Sequence, residues 1–252
     1  MFNTHTKEID FLIDCAKNAS KIIDSETMQV NQKGTGGDLV TNLDYAVEDY
    51  IIDRIKKEFP SFSIVSEEYN TNNSLTENCF VIDPIDGTVN FAHNLPHWSI
   101  QIACVKNGEL VASVIYAPRL NQLYSAVKGE GAYMNGKRIH VNALPSNKNL
   151  FSLDGDSKQR TRFMLADELS KKIPLFRRTG AISISLAFLS YGAYGLVPYL
   201  SYSLWDFMPG KLLCEEAGGI THTENESWFV AACSQEILDV ALPIIRKHYI
   251  PE

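Results

Sequence analysis

Apolar positions open the chain at helical spacing: Ile9, Leu12, Ile13, Ala16, Ala19 and Ile23 fall on one face of a 3.6-residue repeat. Val47, Tyr50, Ile51 and Ile55 repeat in the same way, so two amphipathic helices are predicted before residue 60. Between them, Lys33-Gly34-Thr35-Gly36-Gly37-Asp38 reads as a mobile loop. It is not a dinucleotide fingerprint, because the third Gly of G-x-G-x-x-G would fall on Leu39.

After Pro60 the pattern changes to short β-prone runs at 63–65, 80–82, 99–106 and 109–117, the last two joined by the hairpin signal Asn107-Gly108. Further strands are predicted at 124–127 and 139–141, separated by the 129–131 turn and by Asn135-Gly136. Helices packed on an antiparallel sheet follow from this pattern. The polar stretch 142–149 marks a boundary, giving an N-terminal α+β lobe over residues 1–145 and a C-terminal α/β lobe over residues 146–252. The second lobe alternates a helix at 160–172, a strand at 175–178, a helix from Ala181, a strand at 194–198 and a helix at 206–217 closed by Gly218-Gly219. A strand at 228–232 and a last helix capped by Ser234 complete it.

No residue from 181 to 205 is charged, a length that could span a bilayer, but Gly192, Gly195, Pro198 and many hydroxyls interrupt it. The stretch is assigned to a buried helix and strand. Residues 1–14 lack the basic start and apolar block of a secretory signal. At 45% hydrophobic and 21% charged, the composition is that of an ordinary globular protein. A formal charge of -7 opposes direct binding to nucleic acid or an anionic membrane. Cys15, Cys79, Cys104, Cys214 and Cys233 are scattered and form no C-x-x-C, so neither a disulfide framework nor a zinc ribbon is expected and a reducing cytoplasm fits best.

The chemistry concentrates in Val81-Ile82-Asp83-Pro84-Ile85-Asp86-Gly87-Thr88-Val89-Asn90-Phe91. A buried strand here delivers two carboxylates that repel each other unless a cation lies between them, and hard divalent ions such as Mg2+ take such oxygens. Gly87 permits close approach of a ligand, and Thr88 could cap a following helix whose free N–H groups receive a phosphate. The plainer alternative is an Asx-type turn with a Thr cap. Glu67-Glu68 after one strand and Trp205-Asp206 before one helix add further acids. Thr41 reads as a helix cap, and Asp44 could accept a hydrogen bond from a hydroxyl that orients an attacking water. His93 and His97 read as structural or surface residues, because Pro96 interrupts the helix a metal pair would need.

These motifs, with Asp38-Leu39-Val40-Thr41, Gly129-Glu130-Gly131-Ala132, Asn135-Gly136 and Glu216-Ala217-Gly218-Gly219, make the chain resemble the inositol monophosphatase family of Mg2+-dependent, lithium-sensitive phosphatases along nearly its whole length. The resemblance implies a layered α-β-α-β-α sandwich of the sugar-phosphatase type, a homodimer, and two or three Mg2+ ions per site. It implies that Glu67, Asp83 and the Ile85 carbonyl hold one metal, and that Asp83, Asp86 and Asp206 hold a second. Asp44 and Thr88 would activate the water, with Glu67 also counted as catalytic. Asp86, Gly87, Thr88 and Gly180 would border the phosphate and substrate.

The sequence departs from the family at Tyr199, where an acidic residue would contact the polyol hydroxyls, and at Gly192-Ala193-Tyr194-Gly195, where an Asp is usual. Ile182 is bulkier than the small residue usually found there. The expected substrate is therefore a small phosphate monoester, inositol 1-phosphate or a related sugar or polyol phosphate. Fructose 1,6-bisphosphate, histidinol phosphate and 3'-phosphoadenosine nucleotides remain alternatives, the last disfavoured by Val89-Asn90-Phe91. A different class of role, as a partner of the transcription machinery acting through its surface, is the rival expectation.

Overall fold

The computed structural model describes residues 6–33, 38–71, 74–154 and 159–249. Two helices form the outer layer, α1 (Lys7–Ser25) and α2 (Asn42–Glu58). Thr6 caps α1 by accepting from Ile9 N, and α2 begins in a capping box between Thr41 and Asp44, as the sequence suggested for Thr41. Residues 30–33 and 38–41 form two strands, β1 (Val30–Lys33) and β2 (Asp38–Thr41), paired antiparallel and absent from the sequence-based expectation; residues 34–37 lie outside the described residues. Their polar composition carries no alternation that would have revealed them.

The second layer is a seven-stranded sheet in sequential order, β3 (Ser63–Ser66), β4 (Cys79–Asp86), β5 (Ser99–Lys106), β6 (Glu109–Ala117), β7 (Gln122–Val127), β8 (Gly131–Met134) and β9 (Lys137–Ile139). It is antiparallel except at β3 and β4, which run parallel. One face of the sheet closes over α1 and α2 through Leu12, Val47, Ile51, Phe80, Ile82 and Ile102. The five-residue helix α3 (Thr88–Ala92) follows β4 directly.

Past the sheet, β10 (Leu150–Ser152), α4 (Gln159–Ser170), β11 (Leu175–Arg177), α5 (Ile182–Ser190), β12 (Leu196–Tyr199), α6 (Leu204–Glu216), β13 (Ile220–Glu224), β14 (Trp228–Ala232) and α7 (Gln235–His248) follow in turn. The five strands form a mixed sheet in the order β11-β10-β12-β14-β13. Strands β10 and β13 were not anticipated: β10 has three residues, and β13 has a single apolar residue, Ile220, so neither shows an alternation.

The charge-free stretch divides into α5 and β12, as its Gly and Pro residues implied, and no described helix is long and apolar enough to cross a membrane. Helices α5 and α6 are sandwiched between the two sheets, with Leu186, Leu189, Phe207 and Cys214 meeting Val81 and Ala103 on one side and Val197 and Phe229 on the other. Helices α4 and α7 cover the outer face of the five-stranded sheet through Leu165, Leu169, Ile237 and Ile245. The result is five layers, α-β-α-β-α. All five cysteines are free and buried.

Candidate active site

Asp83 and Asp86 would point to opposite faces of a regular strand, because side chains alternate every residue. In β4 the pairing with β5 slips between Asp83 and Asp86, around Pro84, and this bulge redirects the strand end. As a result Asp83, Asp86 and Asp206, the last in the first turn of α6, offer carboxylate oxygens that all lie within 4.8 Å of one another. All three belong to the set the sequence singled out. Glu67 arrives by another route: the parallel register Ser66↔Ile82 carries β3 and β4 to the same sheet end, where the next residues are Glu67 and Asp83.

Burial sets the electrostatics here. It drives Asp83 well above the ordinary carboxylate range, with Glu67, Asp86 and Asp206 adding to the rise. Asp206 is raised for the same first reason, then by Glu67 and Asp86. Asp86 is pushed up to about 7, even though the Ser183 donors favour its charged form. Asp83 Oδ1 is buried and has no hydrogen-bond partner among the described residues. An acceptor left bare inside a cluster of like charges is costly unless a cation completes it. The donor set, carboxylates only, is the hard-oxygen type that Mg2+ prefers.

Helix α3 is capped by Gly87, whose φ of +84° is left-handed; a Cβ there would lie 2.9 Å from both Ala181 Cβ and the His97 carbonyl. Thr88 is the first helical residue and not the cap. Its hydroxyl lies 3.0 Å from the Ile85 carbonyl and 3.4 Å from Asp44 Oδ1, either of which can accept its single proton. Asp44 is fully buried, with Oδ2 held by Thr41 N at 2.7 Å and Thr41 Oγ1 at 2.6 Å, and burial raises it to about 7 against those bonds. Gly180, at φ +81°, faces the Asn90 side chain, which donates to the carbonyls of His97 and Thr179. Gly87, Thr88, Asn90 and Gly180 line a cavity of about 870 Å³ together with Glu67, Asp83, Asp86, Tyr199, Trp205 and Asp206, whereas Asp44 lies buried behind Thr88.

Several supporting residues escaped the sequence reading. Lys33 pairs with Glu67 at 3.0 Å and with Glu68 at 2.6 Å, and this bridge links the β1 strand to the cavity. Buried Glu48 accepts from Ser66 Oγ, Glu68 N and Tyr69 N, clamping the segment that presents Glu67. Its spacing was the available signal: Asp44, Glu48, Ile51 and Ile55 share one helical face, so Glu48 had to be buried. Asp154 accepts from Gly180 N at 2.7 Å and from the Ser152, Thr179 and Ser185 hydroxyls, fixing the Gly180 turn. His93 binds the Val89 carbonyl at 2.8 Å, whereas His97, packed near Phe188, lines the cavity. Tyr191, Tyr194 and Tyr202 pack on neighbouring rings, as expected, whereas Tyr199 turns its hydroxyl to Asp206.

A layered fold with an acidic cluster at a strand end beside a short helix is the frame of a sugar-phosphatase. The model of the inositol monophosphatase family matches residues 5–241, and the chain belongs to that family of phosphatases. It is 35% identical over 201 residues to the Nus factor SuhB of Escherichia coli, covering 77% of this chain and 75% of that protein. It is 34% identical over 190 residues to a fructose-1,6-bisphosphatase/inositol-1-monophosphatase of Thermotoga maritima, covering 75% and 73%. A solved structure of an IMPase from Thermotoga maritima superposes with a TM-score of 0.87 at 27% identity, covering 96% of this chain and all of that one.

Proposed function

We propose that the protein hydrolyses a small polyol or sugar phosphate, inositol 1-phosphate foremost, with two or three Mg2+ ions held by Glu67, Asp83, the Ile85 carbonyl, Asp86 and Asp206. The observation that carries this reading is Asp83 Oδ1, without a hydrogen-bond partner among the described residues, inside a carboxylate triad of buried Asp83 and Asp86 and half-buried Asp206. Bound Mg2+ would lower the pKa of a water and offset the charge of the phosphate. The chain's own groups do the rest. The Thr88 hydroxyl takes a proton from the attacking water and passes its own to Asp44, whose acidity near neutrality suits that exchange. Backbone amides at Gly87 and Thr88 face the phosphate oxygens, and the Gly180 turn borders the departing alcohol. The new water–phosphorus bond replaces the bond to that alcohol, which leaves with a proton.

Metal binding should depend on pH in a defined direction. Asp86 lies near 7 when folded against an ordinary 3.8, so the folded state is favoured while Asp86 is protonated. That contribution is complete below about pH 4 and is lost as pH rises through about 7. Mg2+ replaces the lost protons, so the rise in Tm that it produces should grow between pH 4.5 and pH 8, as thermal denaturation of EDTA-treated protein would record. Mg2+ without effect at any pH would remove the reading. Phosphate release from inositol 1-phosphate, fructose 1,6-bisphosphate, histidinol phosphate and 3'-phosphoadenosine 5'-phosphate ranks the substrates, with the polyol and sugar phosphates expected first.

The homodimer implied by family resemblance is supported by exposed Phe163 and Met164 on α4 and by Leu175 and Phe176 on edge strand β11. Sedimentation of the purified chain should give twice the monomer mass; a monomer at micromolar concentration would count against it. A second reading, partnership with the transcription machinery, is favoured by the name of the SuhB relative. An inactive but folded variant would keep such a surface role and lose a catalytic one.

A further inference from the structure

Three neutral donors, each from a different element, hold one oxygen of each carboxylate in the triad. Gln101 of β5 donates to Asp83 Oδ2 at 3.1 Å, leaving Oδ1 bare. In the first turn of α5, Ser183 gives Asp86 Oδ2 both its backbone N–H, at 2.7 Å, and its hydroxyl. Tyr199, at the end of β12, gives its phenolic proton to Asp206 Oδ2. A cationic side chain in any of these places would cancel the charge meant for a metal. A neutral donor fixes the carboxylate's orientation and leaves that charge in place.

Tyr199 is the informative member of this group. It stands where a substrate-contacting acid would be expected, yet it is 5% exposed, and its ring lies in the core between the five-stranded sheet and α6. A phenol carries a single proton. Donated to Asp206, that proton is not available to a substrate hydroxyl. The bond also ties the sheet to the helix that carries Asp206, seven residues further on.

We propose that Tyr199 is a positioning residue that orients Asp206 for the metal, and that recognition of the leaving alcohol falls to other residues of the cavity. This inference rests on the metal site proposed above. Tyr199→Phe deletes the hydroxyl and keeps the buried ring, so the fold is retained. Calorimetric titration of the metal-free variant with Mg2+ should give a Kd about tenfold weaker than wild type, the usual scale for losing a partner of a metal ligand. The Mg2+ concentration for half-maximal phosphate release should rise in step, while the substrate KM at saturating Mg2+ moves less than twofold.

Unchanged Mg2+ affinity with a raised substrate KM would make Tyr199 a substrate contact; it would overturn this inference and leave the proposed function standing. A wild-type protein that takes up no Mg2+ would overturn both.

Discussion

Asp83→Asn should reduce Mg2+-dependent phosphate release at least about a thousandfold, the rate equivalent of losing about 4 kcal/mol of charge stabilisation. The protein should remain folded. Asn has nearly the volume of Asp, its side-chain carbonyl can still accept from Gln101 Nε2, and its amide can donate toward the neighbouring carboxylates. One negative charge leaves a buried cluster whose members all resist ionisation. The metal-free variant should therefore melt higher than metal-free wild type, while the rise in Tm on adding Mg2+ shrinks. Paired denaturation curves with EDTA and with Mg2+ check both effects. A variant that melts lower than wild type in EDTA would show that Asp83 stabilises the fold without metal.

Thr88→Val separates the proton route from the metal. Valine keeps the branched shape at the start of α3 and deletes the hydroxyl that reaches both the Ile85 carbonyl and Asp44. A loss of about 10²- to 10⁴-fold in kcat is expected, the scale of general acid–base catalysis, with the Mg2+-induced rise in Tm preserved. Activity within tenfold of wild type would exclude the Thr88 route. Asp44→Asn should lower kcat by a similar factor, and the double variant should be little worse than either single one, because the two residues act as a unit. Asp44→Asn keeps a side-chain oxygen that can accept from Thr41 N in the capping box of α2, so this variant should stay folded.

Much of this site was legible because its residues are close in sequence. Asp83 to Thr88 form one strand end and the next helix start, so their types and spacing announce carboxylates beside a tight, glycine-dependent turn. The amphipathic faces of α1 and α2 likewise reveal themselves by period. What could not be read was held by distant partners. Lys33 meets Glu67 from 34 residues away, and Asp154, just past β10, reaches the Gly180 turn from 26 residues away. Such pairs follow from sheet order, which local patterns do not encode. Gln101 had a signal that went unused: an amide in the apolar run 99–106 must find a partner once buried. Tyr199 was recognised as a departure, but the direction of its hydroxyl depends on where α6 is carried by the fold.

The decisive measurement is phosphate release from inositol 1-phosphate by wild type and Asp83→Asn, first in EDTA and then after excess Mg2+ is restored. Turnover is expected to stop in EDTA and to return with Mg2+ in wild type alone. Turnover that persists in EDTA, or that returns equally in both proteins, would contradict a reaction carried by metal at the Asp83, Asp86 and Asp206 carboxylates.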